Sequence, residues 1–352
     1  RNAIAASDAR VASGNFDRLS VCLLGRNELM RSNAYWHFAQ GHFLETFRAL
    51  QLAGLYNPKL RVSFGDHQFF RSWQQYLPYY LTLFDTLPEL DPHCGTATGR
   101  VIKFPYFDMN DGKRHSLSYE GQLAEFTRAS NSSLLQSCRL LPALQSIVAT
   151  RRRARERHTR PLQILYVRRG NWSAASGPGR RIVNSNEVAS RLQELSQQHG
   201  ARLKQSSLNK LSPLEQVDML LETDVLVSYH GSALGAGHFW MAPGSVVIEF
   251  EPTNVRYCIF ASCGAVSGKT WIESTNQNTA LAQVWKPGGW RYKQYICKGH
   301  GCMRKVDPGP VLHILGNVFH RLLSGSPGGS SVSPADAASG FANDTCGTRE
   351  HN

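Results

Sequence analysis

The stretch Asp224 to Pro252, "DVLVSYHGSALGAGHFWMAPGSVVIEFEP", decides how the chain is read. Two runs in it, "VLVSYH" and "SVVIEFEP", have the length and β-branched content of strands, and both are largely apolar. Strands apolar on both faces belong to a parallel sheet covered by helices on both sides. Between them stand His230, Gly231 and a row of Ser, Ala and Gly, then the aromatic "HFWM". The order predicted is strand, tight turn, short helix, strand. Small residues at such a turn let a ligand approach the main chain. The helix they open offers free N–H groups and the positive end of its dipole.

The same rhythm continues upstream. "LQILYVRR" reads as an apolar strand, followed by a loop of Gly, Ser and Pro. "NSNEVASRLQELSQQHG" reads as a helix with Asn or Ser as cap and Gly200 as stop. "ARLKQSS" is a strand and "SPLEQVDMLLETD" a helix with Pro in its first turn. Strands alternating with helices predict an α/β fold with a parallel sheet.

The first half is more mixed. "RLSVCLLG", "LRVSFGD" and "GRVIKFPYF" are strand candidates. "NAYWHFAQGHFLETFRALQLAG" has helical periodicity and a stop at Gly54. "WQQYLPYYLTLFDTL" is an apolar segment expected to be helical. "SNSSLLQSCRLLPALQSIVATRRRAR" is expected to be a helix that Pro142 interrupts or kinks. A chain of 352 residues suggests two domains. The expected division is 1–157, an N-terminal α/β domain; 158–307, a C-terminal Rossmann-like domain; 308–325, a C-terminal helix; and 326–352, a mostly disordered tail rich in Gly, Ser and Ala.

Composition narrows the class. The formal charge is +13, and Arg151 to Arg160, "RRRARERHTR", holds six Arg in ten residues. That run reads as a solvated helix end or linker, or as a site for an acidic partner. No zinc-finger spacing, aromatic ribonucleoprotein motif or helix-turn-helix accompanies it, so no nucleic-acid partner is expected. No apolar run is long enough to span a membrane, so any membrane attachment would come through an N-terminal anchor absent from this chain. Eight Cys and three N-glycosylation triplets, at Asn131, Asn171 and Asn343, point to the secretory lumen and to disulfides. Eight Cys leave the pairing open. A structural zinc at Cys258, Cys263, Cys297, Cys302 and His300 is the weaker reading.

In an open parallel sheet, ligands bind beyond the carboxyl ends of the strands. Arg168 and Arg169 follow one strand there, and His230 and Gly231 another. "GRRIVNSNE", with Arg181 and Asn184, enters the helix between them. Guanidinium groups grip phosphate in bidentate fashion. With the helix amides they make a diphosphate cradle that needs no Walker sequence. Glu249 and Glu251 lie on or just after the next strand, either to meet the ribose hydroxyls of a nucleotide or as surface carboxylates.

These segments resemble glycosyltransferase family 61. The likeness is carried by "ILYVRR" (Ile164 to Arg169), "RRIVNSNEV" (Arg180 to Val188) and Asp224 to Pro252. The family includes plant xylosyl- and arabinosyltransferases and secretory O-linked N-acetylglucosaminyltransferases. Ser232 and Ala233 stand where it has Ala-Gly, and Ala236 where it has Asn.

The resemblance implies a GT-B architecture, two Rossmann-like domains facing across a cleft. It implies inverting transfer of a pentose or N-acetylglucosamine from a UDP-sugar to a glycan or glycoprotein hydroxyl in the Golgi or endoplasmic reticulum lumen. Arg169, Arg181 and Asn184 would then hold the diphosphate, with His230, Gly231, Ser232 and Ala233 as the phosphate turn and Glu249 at the ribose or base. The catalytic base would come from the first domain. The family motif there is Asn-x-x-His-x-x-x-Asp. "SNAYWHFAQGHFLETF" is similar through Asn33 and His37, but has one residue more before the His and Gly41 in place of the Asp. His37, His42 and Asp66 are therefore the candidates, with Glu45 a further option. No Asp-x-Asp motif occurs, and arginines can replace a metal, so no metal cofactor is expected. The rival readings are a catalytically degenerate relative that binds nucleotide or glycan, and a basic protein that binds polyanions through Arg151 to Arg160.

Overall fold

The computed structural model describes residues 20–24, 35–52, 54–94, 101–105, 138–168, 182, 184–229, 232–250, 270–274 and 308–323. The chain divides into two compact units. Arg1–Ala154 with Pro213–Val217 forms the first, and Arg155–Ser212 with Asp218–Asn352 the second. No helix among the described residues is long and apolar enough to cross a membrane.

The first unit begins with β1 (Ser20–Leu24), then α1 (Tyr35–Phe38), a π-helical segment (Ala39–Leu44) and α2 (Glu45–Leu52). β2 (Arg61–Phe64), α3 (His67–Trp73) and a 3-10 segment (Gln74–Thr82) follow, then β3 (Glu89–Leu90), β4 (Val101–Pro105) and α4 (Leu141–Arg151). The strands form one sheet in the order β3-β2-β1-β4, every pair parallel. Aromatic side chains fill its core. The ring centroids of Phe38 and Tyr76 lie 5.1 Å apart, and those of Phe43 and Tyr80 lie 5.3 Å apart. A disulfide joins Cys22 in β1 to Cys94 beyond β3, across a sequence separation of 72. Closing a loop of that length stabilises the fold by up to about 4 kcal/mol in the chain-entropy account. Cys138 is also disulfide-bonded.

One expectation for this unit changes and another is sharpened. "WQQYLPYYLTLFDTL" forms a 3-10 segment over Gln74–Thr82 with Pro78 inside it. Proline supplies no N–H donor and crowds the preceding turn, which disfavours a regular α-helix there. Cys138 is helical, Arg139 and Leu140 form a turn, and α4 starts at Leu141 with Pro142 in its first turn, so the helical segment is broken just before this proline, in keeping with the interruption expected there. The fixed φ of Pro142 suits that position, and its missing N–H is one the first turn leaves unused anyway.

The second unit runs β5 (Gln163–Val167), α5 (Ser185–Gln198), β6 (Arg202–Ser206), α6 (Pro213–Leu221, whose first residues belong to the first unit), β7 (Val225–Tyr229), α7 (Ser232–Trp240), β8 (Val246–Phe250), β9 (Thr270–Ser274) and α8 (Pro308–Leu323). Its sheet has the order β6-β5-β7-β8-β9 and is wholly parallel. Alternate residues of the strands, among them Tyr166, Val227 and Ile248, form one core with Val188 and Leu192 of α5 and Leu315 and Phe319 of α8. Gly200 ends α5 with φ at 63°, a conformation in which any other side chain is strained.

α7 lies against β7, and Gly237 shows how closely. A Cβ built on Gly237 would stand 2.2 Å from Leu226 Cδ2. At least one of the small residues in "SALGAGHFWM" is therefore required by helix-on-strand packing.

The amino ends of the central strands are tied by one carboxylate. Asp224, just before β7, is 4% exposed. Arg160 donates to it twice, at 2.7 Å and 3.2 Å, and the Gln163 amide donates at 2.8 Å. Arg157 Nε lies 3.4 Å from it. The Asp224 amide donates to Gln163 O at 2.9 Å, and its carbonyl accepts from the Val246 amide at 2.9 Å. Arg157 also donates to Pro243 O, Thr223 O and Ser245 Oγ. Burial holds the Arg157 pKa below the ordinary arginine value; Asp224 opposes that shift and Arg160 adds to it. Within the first unit, Arg151 pairs with Asp85 at 2.9 Å. At least three of the six arginines in the basic run, Arg151, Arg157 and Arg160, thus make internal side-chain bonds.

Two outcomes are expected. Gly237→Ala should destabilise the fold by about 1–3 kcal/mol, because a methyl group has no room beside Leu226; unfolding in denaturant measures it, and an unchanged midpoint would refute the close packing. Asp224→Ala should cost about 3–5 kcal/mol by leaving Arg160 buried without its partner. Exposed Arg155→Ala in the same run should stay within about 0.5 kcal/mol; equal losses in the two variants would contradict the clamp.

Candidate functional site

In the second unit the chain leaves β5 for β6 on one side, then crosses to β7 on the other. The crevice beyond the carboxyl ends of β5 and β7 is thus a topological switch point, where open α/β sheets bind ligands. The two strands end side by side, since Val167 pairs with Ser228. The segments leading from them begin with Arg168 and Arg169 after β5, and with His230 and Gly231 after β7.

Arg169, Arg181, His230, Gly231 and Glu251 lie outside the described residues, as do Asn131, Asn171 and Asn343, the paired Cys and His300 of the zinc reading, and the tail 326–352. The neighbouring candidates can be placed. Asn184 stands at the N-cap of α5 without bonding the helix amides through its side chain. Its Nδ2 donates instead to Glu187 Oε2 at 2.8 Å. The expected side-chain cap is therefore absent at Asn184. The Ser185 hydroxyl, the other cap candidate, meets the Tyr166 hydroxyl at 2.9 Å. Burial raises the Tyr166 pKa, with Ser185 and then Arg168 acting against that shift. Ser232 and Ala233 open α7, Ala233 half-buried. Glu249 lies inside β8 and is fully buried. That position suits a group that fixes its surroundings better than one that meets a ribose in the open crevice.

Arg168 was quoted with Arg169 as one strand-end pair, but it is committed elsewhere. It donates to Gln205 Oε1 at 3.3 Å and to Asn186 Oδ1. Strand alternation could have flagged this: residue 168 continues the 164, 166 face, which packs against α5. The sequence reading missed Gln205, which carries no motif, and gave no role to Asn186 within "RRIVNSNEV".

In the first unit, His37 belongs to α1 and His42 to the π-helical segment. Phe38 and Ala39 are buried, and so are Phe43 and Leu44, five residues on. The buried stripe therefore advances by five through the π turn, where a regular α-helix would advance by three or four. In the backbone register, His37 directly precedes one buried pair and His42 the next. A motif written for a regular helix finds Gly41 at its last position; counted through the wider turn, that position is His42. Asp66 follows β2, half-exposed. Its carbonyl accepts from the Phe70 amide at 3.0 Å, so it stands at the entry to α3. The preceding Gly65 amide donates to Leu23 O at 3.0 Å, which sets Asp66 at the carboxyl edge of the sheet beside β1.

The sequence from residue 79 to residue 248 matches the family described as Glycosyltransferase 61. The matched stretch includes β5, α5, β6, β7, α7 and the first three residues of β8, with Arg169, Arg181, Asn184 and His230 to Ala233. Glu249 is one residue past it, and His37, His42 and Asp66 precede it. No curated protein gives a significant match. The match over residues 79–248 supports membership of the glycosyltransferase 61 family, enzymes that pass a sugar from a donor to an acceptor.

Proposed function

We propose that the protein transfers a pentose or N-acetylglucosamine, with inversion, from a UDP-sugar to a hydroxyl of a glycan or glycoprotein. The observation that carries this reading is the strand order β6-β5-β7-β8-β9, whose switch point is bordered by the segments that open with Arg169 and His230. Arg169, Arg181 and Asn184 hold the diphosphate, and His230, Gly231, Ser232 and Ala233 form the turn around it. Glu249 supports the nucleotide side from within β8. The two units serve as the two lobes of a GT-B enzyme, each with its own parallel sheet. The enzyme works in the lumen of the Golgi or endoplasmic reticulum, an oxidising setting that suits the Cys22–Cys94 disulfide.

Inverting transfer is a single displacement at the anomeric carbon. The acceptor oxygen attacks, the bond to the diphosphate breaks, and a base removes the acceptor's proton. The arginines take up the charge that develops on the leaving UDP, a role a metal fills elsewhere, so no metal is required. The base comes from His37, His42 or Asp66. The π turn favours His42 among them, because it restores a titratable residue to the register position where Gly41 stood. A degenerate relative that binds nucleotide without turnover is the second reading, favoured by that same Gly41.

UDP at about 100 times its Kd should protect the protein against unfolding by about 2.7 kcal/mol. Arg169→Ala should abolish that protection while leaving the unliganded midpoint in place; undiminished protection would remove Arg169 from the site. With a turned-over donor, replacing the base should lower kcat by about 100- to 10,000-fold with UDP protection intact. Parallel assays of His37→Asn, His42→Asn and Asp66→Asn identify it. Full activity in all three variants would dismiss every candidate, and UDP binding without UDP release from any donor would favour the degenerate reading.

A further inference from the structure

A groove of about 390 Å³ opens beside β6, the outer strand of the second unit's sheet. It is lined by Arg168, Asn186, Ala189, Ser190, Gln193 and Gln205. Its construction follows from two periodicities. Arg168 continues the face of Ile164 and Tyr166, and Gln205 pairs with Tyr166 in the β5–β6 register, so both rise on the side covered by α5. Residues 186, 189, 190 and 193 recur at three- and four-residue steps and form one face of α5. The groove therefore lies toward β6, away from the β5–β7 crevice.

The hydrogen bonds fix what it offers a ligand. Arg168 Nη1 donates to Gln205 Oε1 at 3.3 Å, and Nη2 donates to Asn186 Oδ1. The Arg168 amide donates to Ser206 O at 2.8 Å, which anchors the residue at the strand end. Each neighbouring amide thus spends its oxygen on the guanidinium and keeps its NH2 group for another partner. Arg168 retains three of its five N–H groups. Gln193 can add an amide, and Ser190 a hydroxyl. Among the described residues, no carboxylate lines the groove. A half-buried guanidinium flanked by amide donors, with the nearby acceptors already taken, is complementary to a negatively charged oxygen group.

We infer that this groove binds an oxyanion, either the carboxylate of a uronic acid in a glycan or a phosphate group. It is a second site, separate from the proposed donor cradle, and does not depend on the transferase reading. The test uses the full chain at low salt, with calorimetric titration of inorganic phosphate and of a uronate-bearing oligosaccharide. The carboxyl-reduced form of the oligosaccharide serves as control.

At least one of the two oxyanions should bind, and the reduced control should not. Binding of the uronate alone assigns a glycan carboxylate; binding of phosphate alone assigns a phosphate. Arg168→Ala should weaken binding at least about tenfold, the scale of one charge-assisted hydrogen bond. Gln205→Glu, at an exposed position of an edge strand, should abolish binding by placing a carboxylate in the groove, and it decides the matter if Arg168→Ala proves unstable. Saturating UDP should leave the affinity unchanged. The inference is overturned if neither oxyanion binds, if Gln205→Glu binds as well as the native chain, or if UDP competes, which would make the groove part of the donor site.

Discussion

The Asp224 carboxylate is the constraint on which the second unit's geometry rests. It lies at the amino ends of the central strands, the edge away from the candidate site. It receives both terminal nitrogens of Arg160 and the Gln163 amide, while its main chain bonds Gln163 and Val246. β5, β7 and β8 are thereby pinned in register at one end. A one-residue slip would turn every side chain of a strand to the other face. The juxtaposition of Val167 with Ser228 at the opposite end, which sets β5 and β7 to end together, is thus decided by an ion pair on the far edge.

The same packing gives a second meaning to the small residues after β7. Read as sequence, they make room for a ligand. Gly237 instead makes room for Leu226, and Ala236 is buried in the same helix. The two uses divide along α7. Ser232 and Ala233 open it where the chain leaves the crevice, and Gly237 sits further along where the helix meets the sheet. Rossmann-type turns divide their glycines in the same way, some toward the phosphate and one toward helix–strand contact.

The two units differ in the candidate residues that their sequences carry. The second has guanidinium groups, an imidazole and helix amides in the segments that border its switch point, a set suited to anions. The first has histidines on a helical segment with a π turn, and Asp66 at a strand end, a set suited to moving a proton. A transfer that releases a diphosphate and deprotonates a hydroxyl needs one of each. The family match covers the candidate residues from Arg169 to Ala233 and begins after His37, His42 and Asp66.

By itself, the sequence determined the α/β class, the strands β1, β2 and β4 of the first unit and β5 to β8 of the second, the helices α5, α6 and α7 between strands, and the family. Each of these rests on local periodicity, on turn residues such as Gly200, or on a contiguous motif. Only the tertiary structure decided the rest, because it depends on residues far apart in the chain. Arg157 and Arg160 read as solvated charge until Asp224, more than sixty residues on, is brought to them. Arg168 read as a partner of Arg169 until strand alternation turned it toward Gln205 and Asn186. The helix from Asn33 to Gly54 read as regular until its buried stripe advanced by five residues, which gave His42 the register position that Gly41 would otherwise hold. Local propensity sets which elements form; register, burial and the geometry of one widened turn set which side chains they bring together.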